Sequence, residues 1–251
     1  PRFAGDILPE QEIGRALSLA DKLDNLAATF LRGLIPTGSQ DPFALRRQTI
    51  GAVNILTDGK IHWDIRRGIE AALALLPGDE ETKKTVLSQI EDFFRQRIKA
   101  IMLDEGIAYD IIDAVLAGPV DDIYALFLKA RSMAESQLKD EADLRQAVTR
   151  LANITKGKTG GKADPSLFTE DVEKKLQDAF EAVSAKALPL FASYEYGKAL
   201  PALKELTAPI NDYLDNVMVM VDDEAVKNNR ISQLLATLAL FNTWGDFSKL
   251  V

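Results

Sequence analysis

Between its prolines and glycines the chain repeats apolar residues at three- and four-residue spacing, the period of helices buried along one face. Ile13, Leu17, Ala20, Leu23, Leu26 and Phe30 form one such stripe, which predicts a helix over about Gln11 to Gly33, stopped by Gly33 and Pro36. Asp41 then stands as an N-cap with Pro42 at the first helical position, where its missing N–H costs nothing, and that helix is expected to run to about Leu56 before the turn TDGK, Thr57 to Lys60. The breaks at Pro77-Gly78-Asp79 and Gly118-Pro119 separate helices predicted over about Asp64 to Leu76, Glu80 to Glu105, Ala108 to Ala117 and Asp121 to Leu138. Asp140 to Thr155 is the next helix. KGKTGGKADP, Lys156 to Pro165, is rich in glycine and lysine and is expected to be mobile. Helices resume at Thr169 to Ala187, Tyr196 to Leu206, Ala208 to about Met220 and Glu224 to Trp244. VMVMV, Val217 to Val221, is the one local strand signal. It follows the helical spacing of Ile210, Tyr213 and Leu214, so it reads as the buried end of that helix. With no strand–turn–strand series and no repeat of fixed period, the expected fold class is all-α, a helical bundle.

Composition narrows the function. The 251 residues, 47% of them hydrophobic, suffice for one large domain or two ordinary ones. No apolar run reaches the length of a membrane span, and no basic segment followed by an apolar stretch marks a signal peptide. The chain opens in PRFAGDILPE without a methionine and reads as a piece of a longer protein. The lack of cysteine excludes disulfides, thiolate metal sites and cysteine nucleophiles. His62, the single histidine, excludes a multi-histidine metal site and is the only residue a Ser-His-Asp triad has available. A net charge of −8 opposes non-specific nucleic-acid binding, so any RNA surface has to be a local basic face.

Four stretches carry candidate chemistry. LIPTGSQDPFALRRQ, Leu34 to Gln48, joins a turn, a helix start and the pair Arg46 and Arg47. Helix N-termini attract anions and arginines pair with phosphate in a fork, so this stretch can hold a phosphate or an RNA backbone. The alternative is a capped helix whose arginines, in its second turn and on different faces, pair with nearby acids. Asp21 and Asp24 share a helix face, as a metal or acid–base pair or as solvated charges. His62 precedes Trp63, Arg66 and Arg67, in a setting suited to a surface or capping residue beside a small basic patch. In DDEAVKNNR, Asp222 or Asp223 caps a helix and Glu224 suits its positive end. Lys227, Asn228, Asn229 and Arg230 then fill one turn with groups that bond base edges or phosphate, ahead of the core face Ile231, Leu234, Leu235, Leu238 and Phe241.

ADKLDNLAATFLRGLIPTGSQDPFALRRQTIG, Ala20 to Gly51, resembles the HD-like segment of the β subunit of bacterial-type (α2β2) glycyl-tRNA synthetase. YLDNVMVMVDDEAVKNNRISQLLATL, Tyr213 to Leu238, resembles the same subunit near its C-terminus and, more loosely, the anticodon-binding domain of arginyl-tRNA synthetase. DFSKLV resembles the family's last residues. The resemblance implies a C-terminal fragment in three parts: 1–58 ending an HD-like helical domain, 59–150 a helical connection, and 151–251 a helical anticodon-binding domain. It implies a part in the ATP-dependent joining of glycine to tRNA(Gly), with the adenylate site on the α subunit. ATP and Mg then serve the cytoplasmic holoenzyme, with no cofactor, catalytic residue or metal in this part and no membrane. Asp21 matches the final acid of the HD pattern, whose histidines lie outside the fragment. The implied tRNA-binding residues are Lys227, Asn229, Arg230, Arg46 and Arg47; Asn229 and Arg230 match the family, while Lys227 stands where arginine is frequent. Two structural alternatives stay open: Arg230 bonding back to the VMVMVDD carbonyls or acids, and Arg46 and Arg47 pinning the HD-like domain. The competing roles are a helical module docking on the α subunit without tRNA contact and, disfavoured by the missing histidines, an HD-type phosphohydrolase.

Overall fold

Helix boundaries fall where side chains supply the hydrogen bonds that helix ends lack. The computed structural model describes residues 7–38 and 40–250. Its α-helices are α1 Glu12–Leu31, α2 Leu45–Asp58, α3 Ile65–Ala74, α4 Glu80–Asp104, α5 Tyr109–Val115, α6 Ile123–Glu135, α7 Ala142–Thr155, α8 Asp171–Ala192, α9 Leu200–Lys204, α10 Thr207–Asn216 and α11 Glu224–Asn242. Short 3-10 turns lie between some of them and at Phe247–Lys249. The described residues contain no strand, and the all-α class holds. Asp64, Asp79 and Asp223 cap α3, α4 and α11 by accepting from backbone N–H groups of the first turn.

The chain forms two compact units, residues 1–107 with 119–127, and 108–118 with 128–251. In the first, α1 packs on α2, α3 and α4. Its core includes Leu23, Leu26, Phe30, Ile55, Phe93 and Phe94, with Phe30 and Phe93 edge to face at 5.2 Å between ring centroids. In the second, α7 and α8 pack on α10 and α11. Trp244 is fully buried there, and its indole N–H donates to the Lys129 carbonyl (3.2 Å) and the Ser132 hydroxyl (3.0 Å). The tail turn Phe247–Lys249 lies on α5 and α7, with the Asp246 N–H donating to the Ala114 carbonyl at 2.9 Å. Within 59–150, α3 and α4 pack with the first unit and α7 with the second.

Three elements differ from the expected ones. α2 begins at Leu45, because Asp41 to Ala44 form a turn in which Ala44 takes a left-handed conformation, φ 53°. α8 runs through Pro189 to Ala192, past the expected stop at Ala187. VMVMV is not helix. α10 ends at Asn216, and the extended chain alternates Val217 and Val219 inward with Met218 (72% exposed) and Met220 (49%) outward, the period of two that a helix cannot satisfy.

Candidate functional site

The first half of α11 carries a buried network of side-chain hydrogen bonds. Arg230 is 4% exposed and Asn229 6%. The Arg230 guanidinium donates to Glu173 Oε1 (3.0 Å), to Thr169 Oγ1 (2.8 Å) and to the Met218 carbonyl (2.8 Å). Glu173 is buried and also accepts from the backbone N–H groups of Thr169 and Glu170, both at 2.8 Å, closing a capping box at the start of α8. Burial pushes the Glu173 carboxyl up, but the hydrogen bonds from Arg230, Glu170 and Thr169 outweigh it and hold the group below its ordinary value. Gln233 donates to the Glu173 carbonyl at 2.7 Å. Burial, then the charge of Glu173, pushes the neighbouring Tyr213 hydroxyl up. Arg230 therefore takes the tie-down position, joining the VMVMV segment to α8, and its donors face inward. Asn229 bonds the Asp164 backbone twice, accepting from its N–H (2.6 Å) and donating to its carbonyl (3.0 Å). Only Lys227 of the three expected residues here is open to solvent, half-exposed and paired with Glu224.

Asn229 also explains the segment Lys156 to Pro165, which is held against α11 in place of the expected mobility. Gly161 N–H donates to Ser232 Oγ at 3.1 Å. A Cβ on Gly160 would lie 2.9 Å from both Leu235 Cδ1 and Ser232 Oγ and 3.0 Å from Ser232 Cα, so a side chain here would push the segment or its α11 partners aside.

At the start of α2 the anion is the chain's own. Asp41 accepts from the N–H groups of Leu45 (2.8 Å) and Arg46 (3.0 Å), so the helix terminus already carries a carboxylate. Arg46 and Arg47 lie in the first turn, not the second, since the helix starts late. Arg46 donates to the Gly38 carbonyl at 2.6 Å and holds the turn, while Arg47 is exposed with no side-chain partner among the described residues. Arg97, which spacing did not single out, stacks 3.8 Å over the Phe93 ring; burial and then the charge of Arg46 lower its pKa. The other arginine pair is neutralised, Arg66 by Glu70 and Glu91 and Arg67 by Asp64. His62 Nδ1 lies 2.8 Å from Asp122 Oδ2, and its ring stands beside Tyr124. Asp21 and Asp24 are exposed, and no group of described residues is placed to hold a metal. They line a groove of about 990 Å³ between α1 and α3, walled by Leu17, Trp63, Ala72 and Leu75. Leu17 (70% exposed) and Leu75 (83%) leave it open, so the outer part of the α1 stripe is not core.

The helical segment that holds the tied-down α11 is similar to a recognised class of domain. Residues 144–245 match the DALR anticodon binding domain, and residues 1–117 match the family described as glycyl-tRNA synthetase beta subunit. The chain is 41% identical over 252 residues to the glycine–tRNA ligase beta subunit of Clostridioides difficile (strain 630). Identity is 37% over 255 residues to that of Desulforamulus reducens and 37% over 254 residues to that of Aeromonas hydrophila. Each alignment covers 100% of this chain and 37% of the relative, so the chain spans little more than a third of the relatives' length. Along its whole length the chain is similar to the glycyl-tRNA synthetase β-subunit family. No helix of the described residues is long and apolar enough to cross a membrane.

Proposed function

We propose that this chain is a tRNA-recognition part of a glycine–tRNA ligase, acting in an α2β2 cytoplasmic enzyme whose ATP- and Mg-dependent chemistry lies on the α subunit. The observation that carries this is the match of residues 144–245 to an anticodon binding domain, over most of the second unit. Lys227 presents its charge to the anticodon arm of tRNA(Gly). Asn229 and Arg230 act behind it as positioning residues, shaping the surface through Asp164, Glu173 and Met218. Arg47 contacts the RNA backbone, and Arg46 holds the turn that presents it. The test is footprinting of tRNA(Gly) by the full-length β subunit with its α partner. Protection of the anticodon arm is expected, and Lys227→Glu should weaken binding and lower the salt slope by about 1. An unprotected anticodon arm would overturn the reading.

One observation favours a second role for the first unit. Its open groove is lined mainly by apolar side chains, with the carboxylates of Asp21 and Asp24 among them, unlike a phosphate-binding face. This supports docking on the α subunit. Leu75→Asp should then reduce co-purification with α in high salt without changing tRNA footprints; unchanged co-purification would remove this role.

A further inference from the structure

We infer that the segment from Lys156 to Lys162 is a preformed phosphate-binding strap, a second RNA contact beyond Lys227. This rests on the tRNA-recognition reading above. The segment reads KGKTGGK, three positive charges and no acid in seven residues of a chain whose net charge is −8. Lys156 and Lys162 are exposed and Lys158 is half-exposed. None of the three side chains has an ion pair or hydrogen bond among the described residues. Several other cations are answered by acids: Arg66 by Glu70 and Glu91, Arg150 by Asp215, Lys186 by Glu205 and Lys204 by Glu141. Three neighbouring lysines left unpaired concentrate positive field along one short segment.

The strap is also built. It leaves α7 through Gly157, whose φ of 69° belongs to the left-handed region. Just past its far end both backbone groups of Asp164 are clamped on the Asn229 amide, the Gly161–Ser232 hydrogen bond holds its middle, and Gly160 approaches Leu235 and Ser232 so closely that a Cβ would have to push them aside. The anchors 229, 232 and 235 recur every three residues, so the strap follows one face of α11 for ~9 Å at 1.5 Å rise per residue. Binding a polyanion then needs little ordering of the backbone, which lowers the entropic cost of association. The occupant that fits is a nucleic-acid sugar–phosphate backbone, with charges spaced along a line. Lysine presents a point charge to each phosphate, without the fork that reads a base edge, so the strap contributes affinity and not sequence preference.

The test compares wild-type full-length subunit, with its α partner, and the triple variant Lys156→Gln, Lys158→Gln, Lys162→Gln. Binding to a tRNA(Gly) transcript is measured from 50 to 200 mM salt. At 0.7–0.9 counterions released per phosphate, three contacts account for a slope of about 2–3, so the wild type should lose about 20–40-fold more affinity over that range than the variant. The Lys→Arg triple should restore the slope, and an unrelated tRNA should lose the same increment. Tight wild-type binding with a slope unchanged in the Gln triple overturns the strap and leaves the tRNA reading standing. Loss of α-subunit association at unchanged RNA slope overturns it in favour of a protein contact. Absence of any wild-type tRNA binding would overturn both readings together.

Discussion

Glu173 and Arg230 are withdrawn from water together, and each satisfies the other's charge while bonding a different part of the second unit. Such a pair contributes little relative to an apolar pair of the same size, but removing one partner leaves a buried charge alone. Glu173→Gln is therefore expected to destabilise the second unit by ~3–5 kcal/mol at neutral pH, read by urea unfolding. The pH dependence follows from the depressed carboxyl. Its contribution is present above the unfolded value of 4.5 and is lost as the pH falls from there through the lower folded value. The wild type should thus lose stability on acidification below about pH 4.5 more steeply than Glu173→Gln; parallel curves would show that the pair does not govern acid unfolding. Sequence spacing placed Arg230 at the right turn of the right helix and left open whether it faced RNA or the preceding loop. Its partners Glu173 and Thr169 lie about sixty positions away, with nothing in either local pattern to announce the pairing.

At the scale of elements, helix periodicity was legible wherever one face meets a core, as in α4, where Ile90, Phe94 and Ile98 recur at four-residue spacing and are fully buried. It failed where a backbone hydrogen bond decides. Asp-Pro looks like a cap followed by a first helical residue, but Asp41 reaches four and five residues forward, and Ala44 turns left-handed to let it. Composition suggested a mobile Gly/Lys segment for a similar reason: its anchors, Asn229 and Ser232, are distant in sequence, and its glycines serve close approach as well as freedom. Asp41→Ala removes the acceptor for two N–H groups at once. It is expected to cost ~1–2 kcal/mol in thermal or urea unfolding, at the upper end for a single cap. A change below about 0.5 kcal/mol would mean water replaces the carboxylate without loss.

Across the whole molecule, charge and apolar surface are distributed unevenly, and bulk composition conceals both. The acidic total hides the three unpaired lysines between Lys156 and Lys162, and the apolar total includes Leu17 and Leu75, which line an open groove instead of a core. The resemblance to the family was legible from two ordered stretches, whereas no local pattern marks that residues 108–118 join the second unit ahead of 119–127, which join the first. The clamped strap has a further consequence for the chain as a protease substrate. Three lysines beside glycines would make an unclamped loop a ready tryptic site. Held at Gly160, Gly161 and Asp164, the bonds after Lys158 and Lys162 enter a protease cleft only after the segment lifts from α11. In limited digestion these bonds should be cut slowly in the wild type and rapidly in an Asn229→Ala, Ser232→Ala double variant, with mass spectrometry locating the cuts. Rapid wild-type cleavage there would show that the clamp opens freely. A lysine-rich loop can thus be as resistant to cleavage as the helix beneath it, and nicking here reports on the state of α11.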